Sequence, residues 1–208
     1  MKIFEFNPAK GYADQVSGVV GVNTNGTIER TEKGLAWRGA SGGGIDTGVV
    51  ISEQEFSVVA AARVIGAPYA GNYHCLVSSL DANDDGWQLH IDHSNNGRVA
   101  FTVNTTDVSP ISPKVDCSDG NWHLIIGVWD SSGGRAYVDC ILEHEILASQ
   151  TINISETFRI GRNRYAGTQY IRGFISNAKI YDHALTESER AKLYKEFLVS
   201  SQISKTVK

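Results

Sequence analysis

The chain has 208 residues, with 19 Lys and Arg against 23 Asp and Glu, giving a formal net charge of −4. The cations are scattered, which excludes the basic stripe that nucleic acid binding needs. No apolar run approaches the roughly 20 residues that span a bilayer, and the length suits one large sandwich whose core needs no disulfide or metal staple.

The opening Met1–Pro8 places Glu5 and Pro8 where a signal peptide needs an unbroken apolar stretch. The expectation is a chain made in the cytoplasm and not exported by that route. Leu35-Ala36-Trp37-Arg38 and Gly48-Val49-Val50-Ile51 read as strands flanking the flexible run Gly39–Gly44. Phe56–Val64 is apolar on both faces, as a central sandwich strand should be; its β-branched residues favour strand, while its alanines leave helix as the alternative. Trp87–Ile91 and Val99–Val103 alternate apolar with polar around Asn96-Gly97, a pair able to take the positive φ of a hairpin turn. A second hairpin runs from Trp122–Trp129 through Asp130–Gly134 into Arg135–Val138. Trp122 and Trp129 are seven apart, so a regular strand points them to opposite faces. Both are expected to be core, as is Trp37.

One helix is expected near the end. Thr186-Glu187-Ser188-Glu189 is a capping box, and Leu193, Phe197 and Leu198 form an apolar face that docks on the sandwich. Nothing resembles a linker, so residues 1–199 are expected to form one sandwich followed by a polar tail over 200–208. Cys75, Cys117 and Cys140 are odd in number and lack metal-ligand spacing. They are expected to be free thiols.

Several of these residues resemble the laminin-G-like branch of the concanavalin A-like lectin/glucanase superfamily. Asp119-Gly120-Asn121-Trp122-His123 resembles that branch's D-G-x-W-H. Tyr137-Val138-Asp139-Cys140 resembles its Y-V-D-G turn, with Cys140 in place of Gly. Ile160-Gly161 is similar to its I-G strand end, and Ile171–Ile175 to its F-x-G-x-I-D strand. Lys179–Glu189 resembles its closing I-Y-x-x-A-L-[ST]-x-x-E segment. The resemblance implies an all-β, two-layer antiparallel jelly-roll sandwich with one short C-terminal helix. Ser176-Asn177 stands where the family has an Asp, which puts in doubt a calcium site built around it.

Three constellations bear on chemistry. Glu143 and Glu145 lie two apart, so simple alternation puts both on one strand face. The third acid of the glycanase pattern is missing, and the alternative is a solvated strand face. Asp81, Asn83 and Asp85 read D-x-N-x-D-G, the opening of a calcium loop, with Asp92 at the twelfth position. The same residues also serve any exposed hairpin loop. Tyr69 and Tyr73 flank one expected loop. Tyr165 and Tyr170 flank another that begins Arg162-Asn163-Arg164, and these aromatics suit the C–H face of a sugar.

The leading expectation is a non-catalytic binding or surface module, with carbohydrate as its ligand and no cofactor beyond the calcium considered above. The alternative is a phage virion structural protein, a capsid or tail decoration released by lysis rather than secretion. Its partner would be another virion or surface protein. A glycan hydrolase stands third.

Overall fold

A computed structural model describes the chain apart from residues 69–72, 82, 84, 105, 110–111, 149, 155, 164–168 and 207–208, and the side chains of 201–206. The early strands are β1 (Lys2–Phe6), β2 (Val22–Thr24), β3 (Thr27–Thr31), β4 (Gly34–Arg38) and β5 (Gly44–Asp46). Next come β6 (Phe56–Val64), β7 (Tyr73–Ser78), β8 (Trp87–Asp92), β9 (Arg98–Val103) and β10 (Thr106–Val108). The last are β11 (Trp122–Asp130), β12 (Gly133–Val138), β13 (Ile141–Leu147), β14 (Arg159–Ile160) and β15 (Gly173–Tyr181), followed by helix α1 (Glu187–Thr206).

The strands form two antiparallel sheets. One has eight strands in the order β13-β12-β11-β6-β15-β4-β3, with β1 also pairing β15. The other has seven, in the order β10-β9-β8-β7-β14-β5-β2. The consecutive hairpins β8–β9 and β11–β12 stay adjacent in their sheets, while strands distant in sequence fill the rest, as in a jelly roll. Fold class and central strands match the sequence expectation.

Alternation explains where the core sits. From β6, Phe56, Val58, Ala60, Ala62 and Val64 enter the cluster between the sheets. Val59 and Ala61 enter a second cluster under α1. Likewise Ile125 and Trp129 of β11 face the other sheet, while Leu124, Ile126 and Val128 face the helix. Trp37, Trp87 and Trp129 are fully buried. Each large apolar side chain taken from water contributes roughly 1.5–3 kcal/mol. Trp122 points the opposite way from Trp129, as expected. It lies beside Phe174, with ring centroids 6.3 Å apart.

The motif residues act as structural clasps. His123 donates to Asp139 Oδ2 (2.8 Å) and lies 3.1 Å from Asp119 Oδ1. Asp139 Oδ1 accepts the Leu124 N–H at 2.9 Å. Burial pushes the His123 pKa down, but its bonds to Asp139 and Asp119 outweigh that and raise it. Gly161 (φ +81°) and Gly26 both lie against the indole of Trp37, where a Cβ at either position would collide with it. The indole N–H donates to Asn23 Oδ1 at 2.9 Å.

Several details differ from the sequence expectation. Gly48–Ile51 is not a strand. Gly48 sits in the left-handed region (φ +70°), and pairing is made instead by β5. The capping box forms, with Glu189 N–H donating to Thr186 Oγ1 (3.3 Å) and Thr186 N–H donating to Glu189 Oε2 (2.9 Å). However, α1 is longer than expected and continues past Val199. Its docking face uses Leu193, Tyr194 and Phe197. Leu198 is 45% exposed, because it falls one residue off that stripe. The three cysteines are free.

Glu143 and Glu145 do not share a face. The β12–β13 register slips between Ala136 and Tyr137, which leaves Glu143 as the extra residue of a bulge. Glu143 is buried and accepts the Lys114 N–H at 2.7 Å, whereas Glu145 is exposed and lies 3.6 Å from Arg135.

Candidate functional site

The outer face of the seven-stranded sheet is polar because of how β8 alternates. Trp87, Leu89 and Ile91 enter the core, so Gln88, His90 and Asp92 point outward. Register places Asp46, Arg159, Ser78, Gln88, Thr102 and Asp107 in one row across six strands. Cys75 and His90 are paired in the adjoining row, and Tyr73 and Asp92 in the one beyond. Most of this face is nevertheless buried: Ser78, Gln88, His90, Asp92 and Arg159 are all under 9% exposed.

Part of the cover comes from Asn163 and Gln169, which lie between β14 and β15. Asn163 donates through Nδ2 to Gln88 Oε1 (2.8 Å) and to Gln169 Oε1 (3.1 Å). Gln88 Nε2 also donates to Gln169 Oε1 at 3.1 Å. The backbone N–H of Asn163 reaches the Gln169 carbonyl (3.1 Å), and Arg162 bridges to Tyr170. A three-amide ring thus pins Asn163 and Gln169 to β8. Beside it, Asp46 joins two cations, with Arg162 Nη2 at 2.6 Å and Arg159 Nε at 2.7 Å. Arg159 Nη1 is buried without a hydrogen-bond partner.

Tyr73, at the start of β7, reaches the same strand from the other side. Its ring meets His90 edge-on, with centroids 4.9 Å apart at 72°. Burial holds the His90 pKa down at about 4, against the pull of Asp107 and Asp92. The imidazole is therefore neutral at pH 7. Asp92 is committed to its own turn: it accepts from Ser94 N (3.1 Å) and Asn95 Nδ2 (2.6 Å), and pairs with Arg98 at 3.1 Å.

Among the residues singled out from sequence, Tyr73 and Asn163 meet adjacent outward positions of β8. Arg162 and Tyr170 lie in the same segment as Asn163. Tyr69, Arg164 and Tyr165 lie outside the described residues. Gln88, His90, Gln169, Asp46 and Arg159 were not singled out. Alternation in Trp87–Ile91 marked the first two as outward-facing, but nothing local announced their partners. Asp81 heads a hairpin loop, where its Oδ1 accepts N–H bonds from Asn83 (2.7 Å) and Asp85 (3.0 Å). Among the described residues no group of three or more His, Cys, Asp or Glu is arranged to hold a metal ion.

Two antiparallel sheets packed face to face define a jelly-roll β-sandwich. A laminin-G-like family model, described as the concanavalin A-like lectin/glucanases superfamily, matches residues 39–189, and the chain belongs to that family. No curated protein matches the sequence. Among solved structures, the chain is similar to domain 4 of an extracellular arabinanase from Geobacillus stearothermophilus, in complex with arabinotriose. That match has 14% identity and a TM-score of 0.73, and covers 93% of this chain and 98% of the other. It is also similar to the binding domain of botulinum neurotoxin serotype D/C (18% identity, TM-score 0.69, covering 94% of this chain and 52% of the other). The same type of domain in complex with rat synaptotagmin II gives 18% identity and a TM-score of 0.71, covering 94% and 52%. The chain thus spans about half the length of the neurotoxin binding domains.

Proposed function

We propose that the chain is a non-catalytic carbohydrate-binding module whose ligand lies across the outer face of the seven-stranded sheet, around Tyr73, Gln88, Asn163 and Gln169. The observation that carries this reading is the convergence of Tyr73 on His90, and of Asn163 and Gln169 on Gln88, at neighbouring positions of β8. The convergence sets an aromatic ring beside three amides. Gln88 and Asn163 are buried and bonded within that ring, so they hold the half-buried Gln169, whose amide is the one of the three able to meet sugar hydroxyls. The arabinanase domain, of similar size and bound to arabinotriose, supports a saccharide as the ligand class. The separation of Glu143 from Glu145 by a bulge supports the non-catalytic part, since glycoside hydrolysis needs two carboxyl groups flanking one bond.

The test is a glycan array followed by calorimetry, with arabinotriose as the first soluble probe. Tyr73→Ala and Asn163→Ala are expected to weaken binding at least about tenfold, a loss of about 1.4 kcal/mol, with circular dichroism unchanged. A glycan that binds both variants as well as the parent contradicts this placement. Decoration of a virion surface predicts instead capture of a capsid or tail protein with no free glycan bound.

A further inference from the structure

Helix α1 docks on the eight-stranded sheet through Leu193, Tyr194 and Phe197 and leaves space beside them. A cavity of about 360 Å³ lies between the helix and Val59, Ala61 and Leu124 of the sheet. Small-molecule pockets span roughly 300–1,000 Å³, so this one suits a ligand of one or two rings. The space has a local cause. Ala61 ends at a methyl group, and β15 bulges at Ser176 between its paired residues Ile175 and Asn177.

The remaining lining is polar and unevenly satisfied. Lys179 lies 3.7 Å from Glu5 and 3.8 Å from Glu196, ion-paired but beyond hydrogen-bond length. Lys33 donates to the Phe197 carbonyl at 2.6 Å and sits 3.5 Å from the ring centroid of Phe197. Burial lowers the Lys33 pKa even though Asp139 and Glu32 pull it up. Asn177 Oδ1 is buried with no hydrogen-bond partner. Buried polar atoms without partners are uncommon and call for a ligand or a water.

We propose that this cavity binds a small hydroxycarboxylic acid with an apolar face. Its carboxylate would sit between Lys179 and Lys33, a hydroxyl would donate to Asn177 Oδ1, and the apolar face would cover Val59, Ala61 and Leu124. An acidic sugar and an aryl hydroxy acid share this chemistry. The cavity lies on the opposite sheet from Tyr73 and Asn163, so the proposal stands apart from the module's own sugar face.

Digalacturonate and phenyllactate are titrated separately into the full chain and followed by NMR. At least one is expected to bind saturably and shift the amides of Ala61, Leu124 and Asn177, and the pair separates the sugar source from the aryl one. Lys179→Met and Ala61→Phe, which removes a cation and fills the floor respectively, are expected to weaken binding about tenfold or more. Tyr73→Ala is expected to leave it unchanged. Lys179→Met keeps the test decisive if Ala61→Phe fails to fold. The proposal is overturned if neither acid binds up to about 10 mM, if Lys179→Met keeps parental affinity, or if Tyr73→Ala abolishes binding.

Discussion

Acid should destabilise this fold through His90, and the size of the effect follows from its burial. The side chain is 8% exposed and its Nδ1 has no partner, so the imidazolium is disfavoured and the folded pKa is about 4 against 6.5 for a free histidine. Below pH 6.5 the unfolded chain takes up a proton that the folded chain refuses. Stability is therefore complete above pH 6.5 and is lost as pH falls through the window from 6.5 to 4. At 1.36 kcal/mol per unit, the loss is roughly 3 kcal/mol. That is a large share of a typical net stability of roughly 5–15 kcal/mol. The perturbation is His90→Gln, which keeps a neutral polar group but cannot titrate. Urea unfolding of parent and variant at pH 7 and pH 4 isolates His90 together with its interactions with Asp107 and Asp92, because contributions from more distant titrating groups cancel in the difference. The parent should lose roughly 3 kcal/mol more than the variant between the two conditions. A difference below about 1 kcal/mol would refute the reasoning.

Other consequences are as direct. Asp139 (φ 50°) and Cys140 (φ 66°) both occupy the left-handed region in the β12–β13 turn. Cys140→Gly should therefore raise stability by roughly 0.5–1 kcal/mol in a denaturant midpoint, after the loss of the contact from Cys140 Sγ to the Arg190 carbonyl (3.3 Å). Gly127→Ala would place a Cβ 2.6 Å from the Phe101 ring and should cost about 1–3 kcal/mol in the same measurement. Trp122→Ala should cost about 3 kcal/mol, the low end for a tryptophan, since the ring rests on Phe174 at the sheet's outer face rather than between the sheets. Asp81→Ala strands two N–H groups and should lower stability by about 1 kcal/mol, equally in calcium and in EDTA. A melting temperature that calcium raises in the parent but not in this variant would show a metal loop instead.

The parts of the fold legible in the sequence are those whose signal is local. Phe56–Val64 carries apolar residues on both faces and forms β6 between two clusters. Asn96-Gly97 takes the positive φ its residue types allow, and Thr186 and Glu189 cap each other within one turn. What stayed hidden depends on pairing. The bulge at Glu143 exists because β12 and β13 slip register, and that slip turns a carboxylate inward that simple alternation leaves beside Glu145. Leu198 misses the docking stripe because the sheet, not the helix, decides which residues meet it. The candidate site divides the same way. Tyr73 and Asn163 were legible as loop residues of the right type. Their meeting over His90 and Gln88 depends on β7 pairing both β8 and β14, a contact between segments about 75 residues apart in the case of Asn163 and Gln88.

Chemical-shift mapping on the isotope-labelled chain, titrated with the strongest glycan from an array, tests the central claim most directly. The account predicts saturable shifts confined to the outer face of the seven-stranded sheet, at Tyr73, Gln88, His90, Asn163, Gln169 and Tyr170. Saturable shifts that leave these residues untouched and cluster elsewhere on the sandwich would contradict it.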